Sequence, residues 1–126
     1  MLRPADAAAL DDLALPYEVG GEAGFTLLQI KDYPVGAGLA PQRATLLLRL
    51  PPGFPDATPD MFWLDPAVST AVGAVIPGTQ VREVHLGRAW QRWSRHIQGQ
   101  WRPGIDNLAT YLAYVRRCLD QAQGRA

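Results

Sequence analysis

A strand that runs directly into a block of prolines is the feature that most constrains this fold. From Arg43 to Leu50 the chain alternates, with leucines on one face and Thr45 and Arg49 on the other, which is the period of a β-strand. The leucines of the apolar face are Leu46, Leu48 and Leu50. The prolines and Gly53 of residues 51–55 then end the strand, because proline lacks the N–H that a sheet interior requires. The pattern predicts a strand whose apolar face packs against a second layer.

Further elements on either side of this strand predict both layers. Proline in the first turn and a run of alanines predict a helix from Pro4 to Leu13. Short apolar and β-branched runs, bounded by glycine or proline, predict three more strands. These are Tyr17–Val19, Phe25–Lys31 and Met61–Leu64. Strands this close in sequence usually pair as an antiparallel meander, so the four are expected to form one sheet.

A second helix follows two less regular regions. Glycine and proline mark residues 33–41 as a loop, and residues 68–84 are expected to be irregular, with a short strand at Gln80–Val84. Apolar residues at three- and four-residue steps predict the helix; they are Leu108, Tyr111, Leu112, Val115 and Leu119. Asp106 is expected to cap this helix, and Gly124 to end it. The order predicts an α+β fold with helices packed on one sheet.

Length, charge and cysteine content bound the class of protein. The 126 residues are 48% hydrophobic, enough for one domain with its own core over residues 1–126. No run approaches the roughly 20 apolar residues of a membrane span, and the acidic N-terminal segment does not resemble a signal peptide. A cytoplasmic protein is therefore expected. Cys118 is the single cysteine, so we expect a buried structural thiol and no internal disulfide.

Charge divides the chain into two halves. Residues 1–65 carry nine acids and four bases, a net charge of −5, and residues 66–126 carry three acids and eight bases, a net charge of +5. Eleven of the twelve bases are arginine, whose guanidinium suits carboxylates, phosphates and aromatic faces. Two interpretations remain open. Either the halves attract each other within the fold, or an arginine-rich face binds an acidic partner.

Tryptophan and arginine are concentrated between Trp90 and Pro103, which contains three of the four tryptophans. Interleaved rings and cations suit the stacking platforms and phosphate contacts of a nucleic-acid-binding module. The neutral chain and its single lysine disfavour that interpretation. His85 and His96 are eleven residues apart, without ligand spacing to Cys118, so neither a metal site nor a cofactor is expected.

The order of these blocks resembles the ubiquitin-conjugating (UBC) fold. The proline block with Pro59-Asp60-Met61-Phe62 is similar to the family's strand–Tyr-Pro–Pro-Pro–strand signature, and Trp101-Arg102-Pro103 before a helix is similar to its Trp-Ser-Pro motif. The matching positions are Pro51, Pro52, Phe54, Pro55, Pro59, Trp101 and Pro103. The run Trp90-Gln91-Arg92-Trp93-Ser94-Arg95-His96 resembles a bacterial branch, the prokaryotic UBC-like family E.

This resemblance covers Leu13 to Leu119 and implies a specific architecture. It consists of an N-terminal helix, a four-stranded antiparallel meander, an irregular active-site segment, and a C-terminal helix packed on the sheet. Where the family carries its catalytic cysteine, counting back from Trp101 places Trp93. The family's His-Pro-Asn block is missing, although His85 lies near its place, and the only asparagine is Asn107. The amide that would stabilise an oxyanion therefore has no counterpart.

Ser94 and His96 are the residues that remain for acyl transfer, which needs a nucleophile, a base and oxyanion donors. On an extended segment these two side chains would share a face, whereas on a helix they would diverge. No acid lies between Glu83 and Asp106, so a carboxylate that orients the imidazole must come from elsewhere in the fold. We expect a non-cysteine site built from Ser94 and His96, with His85 nearby.

A surface beside this site is expected to bind partner proteins, through charge and ring contacts. Its residues are Arg88, Arg92, Trp93, Arg95 and Arg102. The resemblance implies a component of a bacterial ubiquitin-like conjugation pathway, which receives or positions the C-terminus of a ubiquitin-like protein. Its implied partners are that protein, an adenylating activating enzyme and a JAB-type peptidase of the same pathway. The alternatives are a catalytically inactive adaptor that docks the activating enzyme or the ubiquitin-like protein, and a nucleic-acid-binding module.

Overall fold

A computed structural model describes residues 2–123, apart from the side chain of Gln98, and it contains two α-helices, a short 3₁₀ helix at Gln98–Gln100, and eight strands there. The helices are α1, Pro4–Leu13, and α2, Leu108–Ala122. The strands are β1, Tyr17–Glu22; β2, Phe25–Pro34; β3, Leu39–Ala40; β4, Arg43–Leu50; β5, Phe62–Asp65; β6, Ser69–Thr70; β7, Arg82–His85; and β8, Arg88–Trp93. The α+β class is confirmed, and α1 and β4 have the predicted bounds.

Six of the described strands form one antiparallel sheet, in the order β1-β2-β4-β5-β8-β7. The predicted four-stranded meander is therefore correct for β1, β2, β4 and β5 but stops two strands short. The prediction of irregular structure also needs correction, since β2 reaches into residues 33–41, and β3 and β6 pair with each other. The predicted Gln80–Val84 strand is β7, shifted to Arg82–His85.

The segment that begins at Trp90 was expected to be irregular, but its first part is strand β8. Trp90 faces one side of the sheet and Trp93 the other, as strand alternation requires. Gln91 is buried and takes the place of a backbone partner for Val68, accepting from its N–H and donating to its carbonyl, both at 2.9 Å. The strand escapes detection in the sequence because glutamine and arginine stand where β-branched residues usually signal one.

Both faces of the sheet are apolar. The leucines of β4 that were predicted to face one way lie in the main core, beneath the two helices. A smaller core of four residues fills the opposite face, and none of them is more than 1% exposed: Leu27, Leu47, Trp63 and Trp90. No helix covers these four within the described residues. Instead the sheet curls around them.

The curl brings the two edges of the sheet into contact. Glu22, at the end of edge strand β1, places Oε1 3.0 Å from Nδ1 of His85, at the end of edge strand β7. Its Oε2 accepts a hydrogen bond from the N–H of Leu86 at 3.1 Å. The face of the sheet that carries the smaller core is therefore concave, and charged side chains close it at one end.

The sequence predicted Asp106 as the N-terminal cap of helix α2, but Asn107 caps it instead. Oδ1 of Asn107 accepts from the N–H of Thr110 at 3.2 Å. Asp106 turns away from the helix because Arg102, four residues earlier, donates to it from its backbone N–H at 2.7 Å and from its guanidinium at 3.0 Å. The predicted end of the helix at Gly124 lies outside the described residues.

A buried carboxylate joins the two helices. Asp6 of α1 is 2% exposed, and its Oδ1 accepts from the N–H of Leu108 in the first turn of α2, at 3.2 Å. This bond satisfies one of the free amides at the start of α2. Neither helix of the described chain has the length and apolar character needed to cross a membrane.

Candidate functional site

The two sequence blocks that carry the family resemblance contact each other. Nε1 of Trp101 donates to the carbonyl of Pro55 at 2.9 Å, and its ring centroid lies 6.3 Å from that of Phe54. Asp56, which follows the proline block, accepts from the N–H of Gly104 at 3.0 Å. The proline block therefore supports the connection between β8 and α2, where the site was predicted.

Trp93 lies in the main core and is 0% exposed. Its ring stacks on Phe62 at a centroid distance of 5.3 Å, and its Nε1 donates to Oε1 of Gln91 at 2.9 Å. The prediction that Trp93 contacts partner proteins is therefore corrected, because strand alternation turns this ring towards the helices. Trp90 and Trp101 are buried as well, so none of these three rings offers an exposed platform for nucleic-acid stacking.

Ser94 occupies a tight turn directly after β8. The N–H of Arg95 donates to the carbonyl of Trp93 at 3.0 Å, and the N–H of Ser94 donates to the carbonyl of Gly78 at 2.9 Å. This turn interrupts the alternation of an extended chain, on which the pairing of Ser94 with His96 depended. Within residues 2–123 no hydrogen bond joins the two side chains. The expected Ser94–His96 hydrogen bond is therefore not formed in the described structure.

His96 is paired with Asp60, a residue that sequence analysis did not single out. Nδ1 of His96 lies 2.6 Å from Oδ1 of Asp60, and the two side chains are 44% and 49% exposed. The pairing of β5 with β8 causes this contact, because Phe62 lies opposite Trp93 and the Met61 N–H donates to the Arg95 carbonyl. Asp60 therefore lies where a carboxylate that orients the imidazole would have to lie.

Asp60 could have been found from sequence only with that strand pairing in hand. It belongs to the block Pro59-Asp60-Met61-Phe62, which carries part of the resemblance. An acidic residue beside a predicted strand does not by itself indicate a contact with the site. Only the register of β5 against β8 brings Asp60 to His96.

His85 belongs to a different cluster, on the concave face of the sheet. Its Nδ1 lies 3.0 Å from Glu22 and its Nε2 3.2 Å from Oε1 of Glu83. Glu83 also accepts from Nε1 of Trp63 at 2.9 Å and from Arg92 at 2.8 Å. The structure does not bring His85 together with Ser94 or His96, since its hydrogen bonds go to the two glutamates. This charged cluster joins the sheet edges.

Hydrogen bonds hold both glutamates of this cluster in the ionised form. The bond with His85, followed by that from the N–H of Leu86, lowers the pKa of Glu22. Burial acts to raise the pKa of Glu83, but bonds from Trp63, Arg92 and His85 outweigh burial, so its pKa is lowered. A carboxylate with a lowered pKa stabilises the folded state above its unfolded pKa, and this contribution is lost as the pH falls.

We therefore expect the free energy of unfolding to fall as the pH drops below about 4.5, the ordinary glutamate pKa, and to keep falling through the lower pKa of the folded state. The double variant Glu22→Gln, Glu83→Gln should show a weaker dependence of the free energy of unfolding on pH in this acidic range. Urea unfolding followed by circular dichroism, from neutral pH to about pH 3, measures the slope. An unchanged slope in the double variant would show that other carboxylates dominate acid unfolding.

Three of the four arginines predicted to bind partners form ion pairs with carboxylates of this chain. The pairs are Arg88–Asp65 at 3.4 Å, Arg92–Glu83 at 2.8 Å and Arg102–Asp106 at 3.0 Å. Only the first of these joins the basic half of the sequence to the acidic half. Arg95 instead donates to the carbonyl of Ser94 at 3.2 Å and lies over the ring of Trp93. Its guanidinium has no carboxylate partner within the described residues.

Cys118 is 5% exposed on helix α2, as predicted for a structural thiol. Burial raises the pKa of the thiol, although a bond with Tyr114 and the charges of Arg95 and Arg117 act against burial. The neighbouring phenol responds similarly, since burial and Cys118 raise the pKa of Tyr114 to about 12. A buried thiol with a raised pKa is a poor nucleophile at neutral pH.

Comparison with known proteins gives one family. The family model described as "Prokaryotic E2 family E" matches residues 2–122. Searches of curated proteins and of solved structures found no match. The matched range includes both helices, the whole sheet and the turn that carries Ser94 and His96.

Proposed function

The chain belongs to the prokaryotic E2 family E, and from this membership we propose that it acts in a bacterial ubiquitin-like conjugation pathway as a non-cysteine E2-like protein. It receives or positions the C-terminus of a ubiquitin-like protein that an adenylating enzyme has activated. Such a transfer is acyl chemistry, so it requires a base beside the bound C-terminus. Cys118 does not serve as nucleophile in this proposal because it is buried.

The observation that supports the proposal is the exposed Asp60–His96 pair. With Asp60 accepting from the Nδ1–H, the imidazole is held in the tautomer whose Nε2 carries a lone pair. Within the described residues Nε2 of His96 has no hydrogen-bond partner. Nε2 is thus available as a general base, and Asp60 stabilises the imidazolium that forms.

Ser94 is the proposed acyl acceptor. Its Oγ attacks the carbonyl carbon of the activated C-terminus, the bond to the adenylate or thiol leaving group breaks, and the hydroxyl proton passes to Nε2 of His96. The product is an oxygen ester of Ser94. Because no hydrogen bond joins Ser94 and His96 in the described residues, this step requires the two side chains to come together when the partner binds.

The test is an adduct assay with the activating enzyme, ATP and the ubiquitin-like protein of the same pathway. We expect an adduct that resists thiols and is cleaved by hydroxylamine. Ser94→Ala should abolish it, and His96→Ala should slow its formation by about 10²–10⁴-fold, the usual contribution of a positioned base. Asp60→Asn should slow it with little change in partner affinity.

Ser69→Ala is the matched control, since Ser69 is the only other serine and lies in β6. If Ser94→Ala and His96→Ala form the adduct as fast as the unchanged protein, the catalytic proposal fails.

The second proposal is a catalytically inactive adaptor. It is favoured by the absence, in the described residues, of a hydrogen bond between Ser94 and His96. An adaptor would bind the activating enzyme or the ubiquitin-like protein through the surface around Arg95 and His96. It predicts a stable complex in size-exclusion chromatography with no covalent adduct under any condition. Arg95→Glu should then disrupt the complex, because Arg95 has no carboxylate partner among residues 2–123.

A further inference from the structure

A groove on the concave face of the sheet has neither Ser94 nor His96 in its lining, although Asp60 of the lining contacts His96. Its volume is about 320 Å³, and its lining includes Phe25, Arg49, Thr58, Asp60, Met61 and Trp63. Trp63 belongs to the smaller core. The groove therefore has an apolar floor, one cation and one carboxylate.

Arg49 is the cation, and its guanidinium lies against two aromatic rings. Its guanidinium carbon lies 4.1 Å from the ring centroid of Phe25 and 5.8 Å from that of Trp63. Nε is buried without a hydrogen-bond partner in the described residues, and none of the ion pairs there includes Arg49. The charge of Arg49 acts on Glu22 without forming an ion pair with it, and a hydrogen-bonded anion would stabilise this partly desolvated guanidinium further.

Another arginine of the same strand shows the contrast. Arg43 donates to the carbonyl of Asp32 at 2.9 Å and lies 4.0 Å from its carboxylate. Arg43 is exposed, whereas Arg49 is partly buried and lines the groove. Arg49 is therefore the cation that an anion in the groove would contact.

The wall opposite the floor is held in a strained conformation. Met61 has a φ of 64°, in the left-handed region, which is unfavourable for a residue other than glycine. Both of its backbone groups are fixed, since its N–H donates to the Arg95 carbonyl at 3.0 Å and its carbonyl accepts from the Tyr111 hydroxyl at 2.6 Å. Strain of this kind clusters at ligand-binding positions, and here it sets the Met61 side chain in the groove lining.

The two charges of the groove restrict the ligand. A bare anion would be attracted by Arg49 but repelled by Asp60, which also lines the groove. The C-terminus of a peptide carries a carboxylate and, next to it, backbone N–H donors. Oδ1 of Asp60 is engaged by His96, and its second oxygen accepts no hydrogen bond within the described chain, so it can accept one from such an N–H.

We infer that this groove binds the C-terminal carboxylate of an extended polypeptide whose last residues are apolar. Arg49 pairs with the carboxylate, and the ring of Phe25 and the thioether of Met61 contact the apolar side chains, with Trp63 buried beneath them. Asp60 accepts from a backbone N–H. The inference is independent of the proposed acyl transfer, because it requires a free carboxylate and no activating enzyme.

Fluorescence anisotropy tests this with a fluorescein-labelled peptide that ends in two leucines and a free carboxylate. We expect saturable binding to the unchanged protein. Arg49→Gln should weaken it at least about tenfold, the effect of losing one charge-assisted hydrogen-bonded pair, and amidation of the peptide C-terminus should weaken it similarly. Arg43→Gln removes the same charge from the same strand and should leave the affinity unchanged.

Two further measurements test whether the peptide contacts Arg49 and whether the bound group is a terminal carboxylate. The ¹⁵N–¹H signal of the Arg49 Nε–H, identified by its loss in Arg49→Gln, should shift on adding the free peptide and not the amidated one. An amidated peptide with an internal glutamate that binds as tightly as the free C-terminus would overturn the assignment to a terminal carboxylate. Equal binding by Arg49→Gln, with an unchanged urea midpoint, would overturn the inference.

Discussion

Alanine in place of Trp93 should lower the free energy of unfolding by about 3–5 kcal/mol, the range for truncating a large buried aromatic side chain. The ring is 0% exposed, stacks on Phe62 and donates to Gln91. Its removal leaves a cavity between β8 and the helices and takes one donor from a buried amide. Urea unfolding followed by circular dichroism measures the loss.

Phenylalanine at the same position is the control. It keeps a ring against Phe62 and loses chiefly the indole N–H, so we expect a smaller cost of about 1–2 kcal/mol. The comparison also separates stability from docking. If Trp93→Ala left the free energy of unfolding unchanged but abolished partner binding, the ring would act at the surface, contrary to its burial.

Trp101→Ala should cost about 3–5 kcal/mol as well, but for a different reason. Trp101 is 7% exposed and joins three parts of the chain. It donates to the Pro55 carbonyl, and its ring centroid lies 6.3 Å from that of Phe54 and 6.1 Å from that of Tyr111. Its loss therefore frees the proline block, the segment after β8 and one face of α2 at once.

A double-mutant cycle measures the coupling that this arrangement predicts. Phe54→Ala and Trp101→Ala should be less destabilising together than the sum of the two single changes, by about 0.5–1.5 kcal/mol for a contacting aromatic pair. Trp101→Phe, which keeps a ring and loses the bond to Pro55, should cost less than Trp101→Ala. Additive single changes would mean that the two signature blocks stabilise the fold independently.

Patterns that repeat within a few residues predicted their elements well. The leucines of β4 and the alanines of α1 specify period and type locally, and the structure confirms both elements with their bounds. The same holds for the apolar face of α2, whose five predicted residues are all buried. These predictions succeed because packing only reinforces what local geometry already favours.

Contacts between distant segments could not be predicted in this way. The pairing of Asp60 with His96 depends on the register of β5 against β8, and that of Glu22 with His85 depends on the curl of the whole sheet. Ser94 shows the converse failure. Its two-residue spacing from His96 suggested that the two side chains share a face. The backbone is not extended there, because it turns at Ser94, whose N–H donates to the carbonyl of Gly78, sixteen residues earlier.

The bond between Asp6 and Leu108 has a consequence for synthesis of the chain. It joins residues 102 positions apart, and α2 follows every strand in the sequence. While a ribosome is still translating the region before α2, the leucine face of the sheet has no α2 to cover it. The nascent chain therefore keeps this apolar surface uncovered until α2 emerges, and in that interval we expect it to depend on chaperones.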